Sequence, residues 1–117
     1  VLLNVTVRDI AHASDTALPY AKTKVFGLVM LFTLDLRKEA EQGFAELTRE
    51  LIESALLEGG TFYLPYRNYA SPEQLHRSYP GLDSFLKTKE SWDPQKIFAS
   101  GFYDYLLKSR KEWNQKP

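Results

Sequence analysis

Leu3, Val5 and Val7 are apolar, and the residues between and after them, Asn4, Thr6 and Arg8, are polar. A period of two sets these groups on opposite faces of a strand. The chain therefore opens with a strand that has one apolar and one polar face. Residues around "HASDTALPYAKTK" are polar, contain the breaker Pro19, and read as a loop with at most one helical turn. "VFGLVMLFTL" is apolar at both parities and rich in Val, Phe and Leu, the pattern of a strand covered on both faces. Periodicity alone also admits a buried helix there, and the neighbouring segments favour a strand.

From Asp35 the period changes. Ala40, Phe44, Leu47, Leu51 and Ala55 recur at spacings of three and four, which predicts a long helix with one apolar stripe and a charged opposite face. Gly59 and Gly60 end it. "TFYLPYRN" predicts a third strand, with Phe62, Leu64 and Tyr66 on one side and Thr61, Tyr63 and Arg67 on the other. Pro65 has no N–H for a ladder bond, so that strand is an edge or stops there.

Ser71, Pro72 and Gln74 combine an N-cap hydroxyl, a first-turn proline and a capping-box partner, and so predict a short helix that Pro80-Gly81 breaks. A second helix carries Leu82, Phe85, Leu86 and Trp92 up to Asp93-Pro94, which reads as another cap-plus-proline start. Ser100 can cap a last helix bearing Phe102, Tyr105 and Leu106, and the tail "KSRKEWNQKP" is expected to fray. The predicted fold class is α+β: an antiparallel sheet with one long helix packed on it, followed by a C-terminal cluster of short helices.

Composition narrows the function classes. A chain of 117 residues that is 44% hydrophobic and 14% aromatic can bury one core, and reads as a single folded unit. Fifteen basic residues balance fifteen acidic ones without long blocks, so no electrostatic footprint marks a nucleic acid or an anionic membrane as partner. The longest apolar run falls well short of the roughly 20 residues that span a bilayer. The absence of cysteine excludes disulfides, thiolate metal sites and cysteine nucleophiles, and makes a reducing, cytoplasmic setting the expected one. The chain opens in a strand pattern without an initiator Met, which reads as a fragment of a longer polypeptide or a trimmed N-terminus.

There is no glycine-rich phosphate loop, Walker-type lysine, His-Glu-x-x-His or Gly-x-Ser-x-Gly. His12 and His76 stand far apart and read as surface residues. Glu39, Glu41, Glu46, Glu50 and Glu53 fall on the exposed face of the long helix, where solvation and i,i+4 pairing account for them. Two constellations remain. Around "TFYLPYRN", phenols and a guanidinium could stack on a planar conjugated ligand and bond its oxygens; alternatively Tyr63 and Tyr66 are core aromatics and Arg67 a solvated strand end. The face Asn4-Thr6-Arg8 could line a cavity, or be the plain solvent side of a sheet.

The segments "LLNVTVRDI", "VFGLVMLF" and "LIESALLEGGTFYLPYRNYASPEQLHRSYPGLDSFLKTKESWDPQKIFASGFYDYL" together resemble the C-terminal part of FAD-linked oxidases of the vanillyl-alcohol oxidase type, over residues 1 to 107. The most specific elements are the Gly-Gly-aromatic strand ending in Leu64-Pro65-Tyr66-Arg67 and the closing "DPQKIF". The resemblance implies that residues 1–70 belong to the sheet and long helix of a cap, or substrate, domain. It likewise implies that residues 71–117 form a C-terminal helical segment and that an FAD-binding domain is expected N-terminal to this chain in the same polypeptide. It implies hydride transfer from a small organic substrate, often at an alcohol carbon, to FAD, and a fragment inactive by itself.

On that resemblance Tyr66 and Arg67 are the expected catalytic residues, Tyr63 and Asn68 face the flavin, and Asn4, Thr6 and Arg8 line the substrate side of the cap. Asp93 and Pro94 fix a turn that sends Ile97 and Phe98 to the domain interface. No metal is expected, and a homo-oligomer is compatible with it. The chain departs from the family pattern at Ala99-Ser100-Gly101, where relatives carry an asparagine, and by offering tyrosine and arginine where others present histidine and lysine, so the substrate does not carry over. The competing readings are a free-standing α+β module that binds a small ligand or dimerises through its sheet, and a purely structural interaction domain.

Overall fold

The computed structural model describes residues 1–35 and 37–115. Strands β1 (Leu2–Ile10) and β2 (Val25–Phe32) precede a long helix α1 (Lys38–Leu57), a short α2 (Pro72–Ser78), α3 (Leu82–Trp92) and α4 (Gly101–Asn114). The architecture is α+β, with an antiparallel sheet, one long helix and a C-terminal group of shorter helices.

The sheet has two strands, in antiparallel register with Val5 opposite Met30, Thr6 opposite Val29 and Val7 opposite Leu28, and a bulge between Leu2 and Asn4. Alternation places Val5, Val7, Phe26, Leu28 and Met30 on one face, and Asn4, Thr6 and Arg8 on the other. α1 meets the first face at one end, where Phe32 and Phe44 pack edge to face at 5.0 Å. Beyond that contact the face lies open: Val7 is 62% exposed and Phe26 76%. The expected burial of β2 on both faces is therefore not met within this chain.

α1 ends in a Schellman turn. Gly60 N–H donates to the Ala55 carbonyl at 2.7 Å and Gly59 N–H to that of Leu56 at 3.1 Å, with Gly59 at φ +74°. A Cβ on Gly60 would sit 2.9 Å from the Ala55 oxygen, so both glycines are needed. The apolar stripe is rotated from its expected position. Ile52 is the buried residue of α1, and Leu47 is exposed.

The predicted third strand does not form. Residues 61–70 are an irregular strap with a turn at Leu64-Pro65, and its polar groups are satisfied from elsewhere: the Thr61 hydroxyl donates to the Tyr20 carbonyl, and the Tyr79 hydroxyl to that of Phe62. Burial raises the Tyr79 phenol well above the usual tyrosine pKa, keeping it a neutral donor. The loop before β2 contains no helical turn, and its Leu18 and Tyr20 dock on the core.

The core sits among the last three helices. Leu75, Leu82, Leu86 and Leu106 are fully buried with Tyr79 and Tyr103 around them, and each leucine contributes about 1.5–3 kcal/mol relative to an exposed one. α2 begins with the expected capping box: Gln74 N–H donates to Ser71 Oγ at 3.2 Å, while Ser71 N–H donates to Gln74 Oε1 at 3.2 Å. The other end of Gln74 binds the Arg49 carbonyl at 2.8 Å, clasping α2 to α1.

Asp93-Pro94 starts a turn, not a helix. The Asp93 carboxylate accepts from Ile97 N–H at 2.8 Å and Phe98 N–H at 3.0 Å and pairs with Lys89. Its pKa is lowered by the Lys89 bond first and then by the two amides. The turn leaves Trp92, Ile97 and Phe98 pointing outward, with Phe98 77% exposed. Nor does the tail fray where expected: α4 is capped by Ser100, whose Oγ accepts from Tyr103 N–H, and runs to Asn114. Lys116 and Pro117, also in that predicted tail, lie outside the described residues.

Candidate functional site

The strap between α1 and α2 brings four candidate residues to one exposed tip. Phe62 and Leu64 anchor it on the core, and after the turn at Leu64-Pro65 residues 65–68 are exposed. Tyr20, Tyr63 and Tyr66 form a row of edge-to-face rings, with centroids 5.2 Å apart at each step. Only its inner end is tucked in: Tyr63 is 48% and Tyr66 69% exposed. Successive T-shaped contacts hold the rings in defined orientations while leaving phenol edges and faces open to a ligand.

Arg67 does not stand free at this tip. Its guanidinium donates to the Tyr69 hydroxyl at 2.8 Å and to Glu41 at 3.3 Å, and Tyr69 in turn donates to Glu41 at 3.0 Å. Tyr69 is itself fixed by Arg49, which donates to its carbonyl at 2.8 Å, and by Phe44 at a ring distance of 6.0 Å. This triangle sets the direction of Arg67 and partly compensates its charge. Its capacity to stabilise a negative group is thus smaller than that of a lone guanidinium. Asn68 is exposed beside it.

Glu41 and Tyr69 were missed as site residues. Glu41 has the pattern of one more solvated carboxylate of α1, yet it lies in the first turn, where Arg67 and Tyr69 at the far part of the strap fold back on the helix. Tyr69 has the same strand-like parity as Arg67, two positions away, which was the available signal.

Asn4, Thr6 and Arg8 occupy a different surface. They share the sheet face turned away from α1, all exposed, while the aromatic-basic tip lies on the strap. Two recesses exist elsewhere, one of about 250 Å³ between Leu18, Pro19, Tyr79 and Pro80, the other of about 560 Å³ beside Glu90, Lys96 and Arg110. Neither is lined by Tyr63, Tyr66, Arg67 or Asn68. Among the described residues there is no group of three or more side chains suited to hold a metal ion, and no helix long and apolar enough to cross a membrane.

With its rings at 72° to one another, the tip can lay one of Tyr63 and Tyr66 face-on against a flat, conjugated molecule while the other meets it by an edge, and it can donate hydrogen bonds from Arg67 and the phenols. Compared with protein-family models, curated proteins and solved structures, the chain matches none.

Proposed function

We propose that this chain is the cap and C-terminal portion of an FAD-dependent oxidoreductase that oxidises a small organic substrate. The observation that carries the reading is the tip. Two exposed tyrosines and a positioned arginine stand on a strap fastened to the core, an arrangement suited to a planar ring system held mainly by another domain. The resemblance described above supplies the identity of that ring system.

The residues fit a flavin in one respect only. Tyr63, Tyr66, Arg67 and Asn68 could cover its ring, and the pyrophosphate would be bound elsewhere. Bound FAD would supply the electron acceptor for a substrate C–H, a chemistry amino-acid side chains lack. In this reading the chain's own residues orient and enclose: Tyr63 and Tyr66 form an aromatic wall that excludes water, and the Tyr66 hydroxyl offers a hydrogen bond to a substrate oxygen. Arg67, held by Glu41 and Tyr69, presents positive potential towards charge developing there. Asn4, Thr6 and Arg8 would reach the substrate only from another part of the cap.

The open apolar sheet face and the outward Trp92, Ile97 and Phe98 support a second domain in contact with this one. The same open face favours an alternative reading, a free-standing module that dimerises through its sheet. One experiment separates them. The gene is expressed with the reading frame that precedes Val1, and the purified protein is examined for a flavin absorption spectrum and for FAD binding. A yellow protein supports the oxidoreductase; a colourless one that does not take up FAD, or a start codon at this point of the frame, overturns it. In a flavin-loaded enzyme, Arg67→Ala should lower turnover while the protein stays folded and loses no more than about 1 kcal/mol of stability, because the Arg67–Glu41 pair is exposed.

A further inference from the structure

Tyr20 lies in the loop between β1 and β2, a segment whose composition marks it only as polar and turn-like. The fold brings it to the root of the aromatic tip. Its ring stands edge to face with that of Tyr63, centroids 5.2 Å apart and planes at 74°, and Tyr63 meets Tyr66 at 5.2 Å and 72°. The row is thus built from two separate segments of chain, and whatever seats the loop also bears on the exposed pair.

Tyr20 is held from several sides. Its carbonyl accepts from the Thr61 hydroxyl, two residues before Tyr63, so loop and strap are bonded where their rings meet. The next residue, Ala21, is fully buried, and its carbonyl accepts from Ala13 N–H at 3.0 Å, which closes the loop on itself. Earlier in the loop, residues 17 and 18 lie against the turn between α2 and α3: a Cβ on Gly81 would come within 3.2 Å of the Ala17 oxygen and 4.0 Å of the Leu18 side chain. Leu18 and Tyr20 both pack on the helical core. Tyr63 and Tyr66 differ in being exposed, and no hydrogen bond of either phenol holds them among the described residues. Their orientations rest on ring contacts that begin at Tyr20.

We propose that Tyr20 is a positioning residue of the tip, whose ring sets the angle of Tyr63 and through it that of Tyr66. What those rings face rests on the oxidoreductase reading; how they are held rests on this chain alone. An edge-to-face pair is directional, because the positive edge of one ring meets the negative face of the next. An aliphatic side chain of similar bulk fills the space without fixing the angle. The angle matters because Tyr63 and Tyr66 stand at 72°, so rotating the pair exchanges face for edge at a flat ligand. The ring and not the phenol of Tyr20 is what positions them, since its hydroxyl has no hydrogen-bond partner among the described residues.

Two variants separate ring from bulk. Tyr20→Leu keeps an apolar side chain on the core, and Tyr20→Phe keeps the ring. With the seven tyrosines of the unaltered chain assigned by nuclear magnetic resonance, proton cross-peaks should join the rings of Tyr20 and Tyr63 and those of Tyr63 and Tyr66. Tyr20→Leu should weaken the Tyr63–Tyr66 cross-peaks several-fold and shift both sets of ring signals while the amide signals of α2, α3 and α4 stay in place; Tyr20→Phe should keep the cross-peaks. Unchanged Tyr63 and Tyr66 signals in Tyr20→Leu overturn the proposal, and so does an equal loss of cross-peaks in Tyr20→Phe. In the longer, FAD-loaded chain, Tyr20→Leu should lower kcat/KM about 2–10-fold, the worth of one aromatic pair, and move the visible absorption band of the flavin. A loaded variant with the band and kcat/KM of the unaltered enzyme overturns the proposal as well. If the longer chain takes up no FAD, the oxidoreductase reading falls, and the ring signals of the chain alone still decide the role of Tyr20.

Discussion

Tyr105 shows how much a single side chain does in so small a core. Its hydroxyl donates to the Ala70 carbonyl at 2.9 Å, tying α4 to the strap that bears the aromatic tip. Burial raises its phenol to about 12, with bonding to Ser109 and the charge of Arg49 acting the other way. A raised folded pKa means a contribution fully present below the unfolded value of about 10 and lost as pH climbs towards the folded one. Tyr105→Phe should cost about 1 kcal/mol in urea unfolding at neutral pH, and should flatten the loss of stability between those two values that the unaltered chain shows. At this scale the sequence was only partly legible. Tyr63, Tyr66 and Arg67 drew attention through their chemistry around a proline, and the structure does gather them. Glu41 and Tyr69 did not, because their roles depend on how the strap folds back on the first turn of α1, a relation no local spacing encodes.

At the scale of elements, punctuation was readable and coverage was not. The two glycines after α1 and the Ser-Pro-Glu-Gln start of α2 behave as their backbone preferences dictate, since caps are decided within a few residues. Gly59→Ala should therefore destabilise by about 1–2 kcal/mol through the left-handed backbone at that position, measurable as a lowered urea midpoint with an unchanged slope. The missing third strand has a different origin. Thr61 and Phe62 find hydrogen-bond partners in Tyr20 and Tyr79 rather than in a neighbouring strand, so an extended pattern that could have joined a sheet becomes a strap. Asp93-Pro94 misled for a related reason: the same carboxylate that caps a helix can close a tight turn by accepting from Ile97 and Phe98. The apolar stripe of α1 turned towards Ile52 because α2 and the core lie there, a tertiary choice among positions the period alone left equivalent.

Across the whole molecule, apolar residues divide between a packed helical end and an open sheet. The Cα radius of gyration, 15.4 Å, exceeds the roughly 13 Å typical of a compact chain near this length, as a projecting hairpin requires. Phe26→Lys combined with Leu28→Lys should raise the solubility of the chain and change its stability by no more than about 0.5 kcal/mol, because both side chains are already in water; a marked drop in the unfolding midpoint would show instead that the face is covered in solution. The α+β class could be read from the change of period along the chain, whereas the imbalance between its two ends could not, since alternation shows which face is apolar and not whether anything lies on it. That imbalance bears on how the molecule comes apart. Contacts at Phe32 and through the loop carrying Leu18 and Tyr20 join β1 and β2 to the rest, and among the described residues each strand has an outer edge without a neighbouring strand. Amides of the hairpin should exchange with deuterium through local openings, orders of magnitude faster than those of α2, α3 and α4, which wait for global unfolding. The chain would then contain two cooperative units of unequal stability, and its sheet would melt first while the helices below it remained folded.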